Sequence, residues 1–311
     1  MSTPEVEDFA RERLQLQNKI AELETVIAQL QEVGIAFTNS REEEERSSSI
    51  NMQLQGELKQ ALKSNRRQLE EIAKAHAKFL PHFYPKTGGL TVAAHCRPCA
   101  DVGGDFYDVF EMADGRISIC MADVSGHGAM ASMSMATSRA LLRTALLEAE
   151  PYNTPSDILQ RLSFWLGHQF EVEQFVTMWL GIYDPYSGVL SASSAAHPKA
   201  IIWPRKNDLH YINLESGLPL GLAGIDPIPY SEIEIKLEIG DRVFLYTDGW
   251  CETPTKDGKV LEGEDFLDFL GNAYGQPLMQ VPQALFMLFE RHAAGSRIRD
   301  DVSLLTFDRV E

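Results

Sequence analysis

An α+β domain with an antiparallel sheet or sandwich flanked by helices, preceded by a helical coiled-coil segment, is the fold this sequence predicts. Before residue 80 the chain is charged and Gln-rich, and its apolar residues recur at alternating steps of three and four. Beyond residue 90 short runs with a two-residue period alternate with turns, often joining strand to strand without a helix between them. The expected division is therefore 1–80 for the helical segment and 81–311 for the α+β domain.

In the first segment Leu16, Ile20, Leu23, Ile27 and Leu30 form the a/d seam of a coiled coil, which fades at Gly34. The acidic and serine-rich run "NSREEEERSSS" reads as a solvated hinge or frayed helix. A second seam follows in Leu58, Leu62, Asn65, Leu69, Ile72, His76 and Phe79, with two polar positions that weaken helix pairing but can fix its register. Two heptad segments with a hinge suit a dimerising signal-relay stalk; the alternative is a pair of helices packed on their own C-terminal domain. In "FLPHFYPKTGG", Pro81 and Pro85 cannot donate to a helical ladder and Gly88 and Gly89 favour a turn, so the helix is expected to end there.

In the second segment "ISICMAD" alternates its side chains, "FVTMWLGIYD" and "VLSASSAAH" flank the turn "DPYSG", and "RVFLYTDG" and "VSLLTFD" are compact β-rich runs. The helical stretch after "SGHG" carries Met130, Met133, Ala136, Ala140, Leu141, Thr144 and Leu147 on one broad face, with its methionines expected as core filler, and "VPQALFMLFERHA" is a second amphipathic helix.

A net charge of −17 excludes a long phosphate-tracking surface, so neither DNA nor RNA is an expected partner. No apolar run approaches the roughly 18 residues needed to span a bilayer, and "MSTPEVEDFARERLQLQNK" lacks the basic-then-apolar order of a secretion signal, so a cytoplasmic location is expected. The few cysteines fit a reducing compartment. Cys96 and Cys99 form a CxxC, but a zinc site would want a second ligand pair at similar spacing, and Cys120 and Cys251 stand alone; the pair reads as two incidental thiols.

Acidic residues recur where strands meet turns: Asp105 after Gly103 and Gly104, Asp123 before "VSGHG", Asp248 before Gly249, and Asp300 with Asp301 at the start of the last strand. Any one of them alone is best explained as a backbone cap. Together, carboxylates without His or Cys partners suit a hard cation, Mg2+ or Mn2+.

The run "RPCADVGGDFYDVFEMADGRISICMADVSGHGAMASMSMATSRALLR", followed in order by "SSAAHPKAIIW", "GLPLGLAGID", "LEIGDRVFLYTDGWCET" and "RIRDDVSLLTF", resembles the SpoIIE/RsbU branch of the metal-dependent (PPM, PP2C-like) serine/threonine protein phosphatases across essentially the whole C-terminal domain. The resemblance implies a sandwich of two antiparallel β-sheets flanked by helices, with a two-metal site at one edge. It implies that Asp105 holds one ion, Asp123 bridges both, the Val124 carbonyl adds a ligand, and Asp248 and Asp300 complete the other, Asp300 matching better than the adjacent Asp301. Two ions about 3.5–4 Å apart can activate a shared water for attack at phosphorus without a phosphorylated intermediate.

Other positions fit the family pattern less well. His127 in "SGHG" is the nearest candidate proton donor but reads better as a loop-positioning residue. His197 in "AAHPKA" stands where the family has "AGH", with Ala196 in place of glycine, and is expected to pack structurally. Arg97 is only a weak counterpart of the phosphate-gripping arginine of eukaryotic relatives. The implied substrate is a phosphorylated STAS-domain anti-sigma-factor antagonist in a partner-switching stress or developmental pathway. The N-terminal helices would then mediate a homodimer and receive an upstream regulator. The competing classes are a PPM-fold binding module that recognises a phosphoprotein without hydrolysing it, and an unrelated carboxylate-rich nuclease, which the acidic balance and the motif order disfavour.

Overall fold

A computed structural model describes residues 4–310 except 82–88, 101, 127, 149–152, 172, 206–207, 223, 226–227, 256–257 and 294–297. His127, Pro85 and Gly88 lie outside the described residues. The chain divides into two compact units, Met1–Arg67 and Gln68–Glu311.

The first helix, α1 (Pro4–Phe79), is continuous. The expected hinge over residues 39–49 is helical throughout, because the run contains no Gly or Pro and its Glu and Arg residues are good helix formers. Leu16, Ile20, Leu23, Ile27, Leu30, Leu58 and Leu62 are all exposed in the single chain. Among the described residues no helix is long and apolar enough to cross a membrane.

Among the described residues ten strands build two five-stranded sheets, and every pairing between these strands is antiparallel. The first sheet runs β1 (Leu90–Arg97), β10 (Val302–Arg309), β9 (Arg242–Tyr246), β6 (Ile201–Trp203), β7 (His210–Tyr211). The second runs β2 (Phe106–Glu111), β3 (Ile117–Val124), β4 (Val176–Asp184), β5 (Val189–Ala195), β8 (Glu232–Lys236).

The period of two explains the layering. In β3, Ile117, Ile119 and Met121 enter the core between the sheets with Val92, Val243, Leu245, Leu305 and Phe307. The alternate positions Cys120 and Ala122 are small and lie beneath α2 (Ala129–Leu147) and α3 (Pro155–Gly167), against Met135, Leu142, Leu159 and Leu162. On the outer face of the first sheet, Phe244, Tyr246 and Leu304 pack with Trp250 of α4 (Gly249–Glu252), Phe266 and Phe269 of α5 (Gly263–Gly271), and Phe286 and Phe289 of α6 (Val281–His292). The order is helix, sheet, sheet, helix, a sandwich with three apolar layers.

The buried face of α2 differs from the expected one. Met130, Met133 and Leu147 are 61%, 67% and 64% exposed, while Ala131, Ser132, Ser134, Met135, Ser138, Leu142, Ala145 and Leu146 face inward. Serine suits this side because helix and sheet approach closely there, and the Ser138 hydroxyl donates to the Ser134 carbonyl at 2.7 Å, so it enters the core already satisfied. Of these three methionines, only Met135 is core filler.

Candidate metal centre

The inward stripe of the sandwich turns polar at one end. Asp105 immediately precedes β2 and Asp123 is the penultimate residue of β3; Thr247 follows β9 and Ser303 is the second residue of β10. Each falls on the same parity as an apolar core neighbour, respectively Tyr107, Met121, Leu245 and Leu305. The register that fills the core with hydrocarbon therefore delivers two carboxylates and two hydroxyls to its edge.

Asp105 is 1% exposed. Its Oδ2 accepts from the Thr247 hydroxyl at 2.8 Å and the Ser303 hydroxyl at 2.6 Å, bonds that reach across from the other sheet. Its Oδ1 is buried without a partner. The two glycines before it are required by close approach. A β-carbon on Gly103 would collide with the Asp301 carboxylate, and one on Gly104 would lie 2.6 Å from the Val124 carbonyl oxygen and 3.4 Å from Ala131 Cβ.

Asp301 anchors this loop. Its Oδ1 accepts the Cys99 amide at 2.8 Å, and its Oδ2 accepts the Gly104 amide at 2.7 Å and the Asp105 amide at 3.3 Å. Its neighbour Asp300, half-buried, turns its charge toward Asp123 and Asp248.

The electrostatics are those of converging acids. Burial, then the charges of Asp105, Asp248 and Asp300, pushes the Asp123 carboxyl up to about 10. Burial, then Glu252 and Asp300, pushes Asp248 up to about 6, and its Oδ1 is also buried without a partner. Asp105 is raised well above the usual carboxylate range by burial and the Asp301 charge, against the pull of the Ser303 and Thr247 bonds. Among the described residues no basic side chain acts on any of the three. Oxygen donors with unspent lone pairs and no countercharge are the donor set of a hard divalent cation, and these residues fit one.

The structure places Asp105, Asp123, Asp248 and Asp300 near enough for their charges to act on Asp123, with the Val124 carbonyl beside Gly104, but among the described residues no three of these four bring ligand atoms within 4.8 Å of one another. His197 is buried, with Nδ1 2.9 Å from the Thr177 hydroxyl, and burial lowers it to about 3, so it stays neutral. Arg97 is held on the surface by Glu290 at 2.7 Å and stacks over Phe286 of α6. Sequence reasoning missed Thr247 and Ser303. The signal available was their parity with the core residues of their own strands.

Residues 113–310 match the sequence profile of the Stage II sporulation protein E (SpoIIE) family. This chain belongs to the SpoIIE family. The matched span contains Asp123, Val124, Asp248 and Asp300, and Asp105 lies just ahead of it. The phosphoserine phosphatase RsbU of Bacillus subtilis is 26% identical over 201 residues, covering 65% of this chain and 57% of RsbU, so the SpoIIE-family chain described here spans little more than half of that relative. The SiaA-PP2C domain of Pseudomonas aeruginosa shares the fold at a TM-score of 0.68 and 21% identity, over 80% of this chain and 98% of that domain. The RsbU and RsbW domains of a Mycobacterium tuberculosis protein superpose at 0.61 with 27% identity, over 71% of this chain and 60% of theirs.

Proposed function

We propose that this chain is a metal-dependent protein phosphatase that hydrolyses phosphoserine or phosphothreonine. Asp105, Asp123, the Val124 carbonyl, Asp248 and Asp300 would hold two divalent cations, Mn2+ or Mg2+, with Asp123 shared between them. One observation carries the reading: the carboxylates of Asp105, Asp123 and Asp248 are raised by burial and by neighbouring acids, with orphaned oxygens on Asp105 and Asp248 and, among the described residues, no basic partner. Bound ions would supply a water of lowered pKa as nucleophile and positive charge for the phosphoryl oxygens.

The protein's own contribution is positioning. Thr247 and Ser303 fix one oxygen of Asp105 and leave the other facing the site. Asp301, whose two oxygens accept three loop amides, holds the Asp105 loop in place, which supports Asp300 as the ligand of the catalytic pair. Buried and neutral, His197 is unsuited to donating a proton to the leaving serine.

The test is hydrolysis of a phosphothreonine peptide with Mn2+, its abolition by chelator, and the isosteric variant Asp123→Asn. That variant should lose at least about 100-fold in rate, beyond the cost typical of an outer-shell partner. A wild-type rate in folded Asp123→Asn would sink the assignment.

We further infer a phosphorylated STAS-domain anti-sigma-factor antagonist as substrate, in the cytoplasm. The family and the likeness to RsbU support this, as does the joining of RsbU and RsbW domains in one relative. Residues 1–80, with their exposed a/d seam, are proposed to form a parallel helix pair in a homodimer and to receive an upstream regulator. Dephosphorylation of a panel of phosphorylated STAS proteins tests the first inference. Monomeric behaviour of the full chain in sedimentation would overturn the second.

A further inference from the structure

In sequence, Cys96 and Cys99 lack the second ligand pair that a thiophilic metal would want. In the fold that pair arrives from the far end of the chain, since ligand atoms of Cys99, Asp300 and Asp301 all lie within 4.8 Å of one another. We propose that Cys99, Asp300 and Asp301 form a binding site for a thiophilic divalent cation of the Zn2+ or Cd2+ class, abutting the hard-cation centre and sharing Asp300 with it. The binding site stands on its own geometry, while its inhibitory consequence rests on the role assigned to Asp300 above.

The donor chemistry separates the two sites. Oxygen-only ligands favour Mg2+ or Mn2+, whereas one thiolate among carboxylates shifts preference toward softer ions. Tetrahedral zinc, with Zn–S near 2.3 Å and Zn–O near 2.1 Å, needs ligand atoms about 3.5 Å apart. Movements on the order of 1 Å close the set. Preorganisation comes from the loop: the Cys99 amide is bonded to Asp301 Oδ1 at 2.8 Å, and that oxygen keeps a second lone pair for an ion.

The same acidic surroundings reach Asp105, 1% exposed, whose carboxyl is raised by burial and then by the charges of Asp301 and Asp300. Without an ion Cys99 carries a thiol whose backbone amide is tied to Asp301. Binding converts Cys99–SH and M2+ to the metal thiolate and releases one proton to solvent. An ion seated there takes Asp300 from the catalytic pair, so zinc inhibits a manganese-loaded enzyme.

Metal-stripped full-length protein is titrated with Cd2+ and with Co2+ alone, and thiolate-to-metal charge-transfer absorbance is recorded. Wild type, Cys96→Ser and Cys251→Ser should develop the band, while Cys99→Ser and Cys99→Ala, checked for wild-type circular dichroism, should not. A band that persists in both Cys99 variants overturns the proposal. In Mn2+-supported hydrolysis, half-inhibition of Cys99→Ser should need at least about tenfold more Zn2+ than wild type; equal sensitivity overturns the inhibitory coupling. A thiolate band in a wild type that hydrolyses no phosphopeptide with any metal would sink the phosphatase reading and leave this site standing. Hydrolysis with no band would do the reverse.

Discussion

Two buried aspartates, three residues apart, meet opposite fates. Asp108 is 2% exposed on the outer face of β2 and is gripped from α2 by Arg143, at 2.5 and 2.6 Å, and by Arg139 at 3.2 Å. Asp105 is equally buried, on inward parity, and receives two neutral hydroxyls and no cation. One carboxylate has its countercharge built into the fold. The other is left short of one, and a buried charge is tolerated only when paired or bound to metal. The difference distinguishes an acid paired within the fold from one that, among the described residues, the fold leaves without a countercharge.

The comparison breaks if removing the negative charge acts alike at both positions. Asp105→Asn should cost at least about 100-fold in Mn2+-supported hydrolysis, yet change metal-free stability by less than about 1 kcal/mol, because the amide mimics the protonated acid that burial favours. Asp108→Ala should do the opposite. It leaves two arginines facing each other at side-chain exposures of only 18% and 29%. The 3–5 kcal/mol typical of a broken buried pair, discounted for that partial exposure, gives a loss of about 2–3 kcal/mol, read as a lower urea midpoint. Equal stability losses in the two variants would erase the distinction.

Proton linkage sharpens it further. Asp123 titrates near 3.8 when unfolded and about 10 in the metal-free fold, so the native state binds more protons across that window and metal-free stability falls as pH rises through it. Added Mn2+ must displace those protons, so its stabilising shift in Tm should grow between about pH 6 and pH 9. A shift independent of pH would mean that the ion binds elsewhere. His197 carries the reverse sign. Its folded value is depressed to about 3 from 6.5, so its contribution is complete above pH 6.5 and is lost as pH falls below it. Between pH 6.5 and pH 5 wild type should lose about 2 kcal/mol more than His197→Gln.

Much of this was legible in the chain because periodicity and turns are local. "ISICMAD" declares a strand by its two-residue alternation, and the aspartates of "GGD", "DVSG" and "YTDG" stand out by their glycine turns, that of "DDVS" by its place at the start of the last strand. The remainder depends on what lies opposite. Thr247 and Ser303 look like ordinary β residues, and only the packing of one sheet on the other brings them to Asp105. The resemblance already favours Asp300 over Asp301, but the three loop amides that Asp301 holds are visible only in the fold. On α2 the outward stripe of Met130 and Met133 is more apolar than the buried serines, so composition pointed to the wrong face.

The smallest expected effect concerns strain at the same end of the sandwich. Ala196 is the sole non-glycine among the described residues with a positive φ, at 53°. It sits between Ala195, which closes β5, and His197, whose partner Thr177 lies directly across the ladder from Asp123. An alanine in the left-handed region carries a penalty of about 1–2 kcal/mol, which glycine relieves while adding unfolded-state entropy of about 0.4–1 kcal/mol. Ala196→Gly should therefore stabilise by somewhat under about 1 kcal/mol and leave the His197 pH dependence unchanged. If it instead weakens Mn2+ binding, the strained turn is holding Thr177 and Asp123 in place, and the countercharge missing around the inner carboxylates is compensated partly by backbone rigidity as well as by an ion.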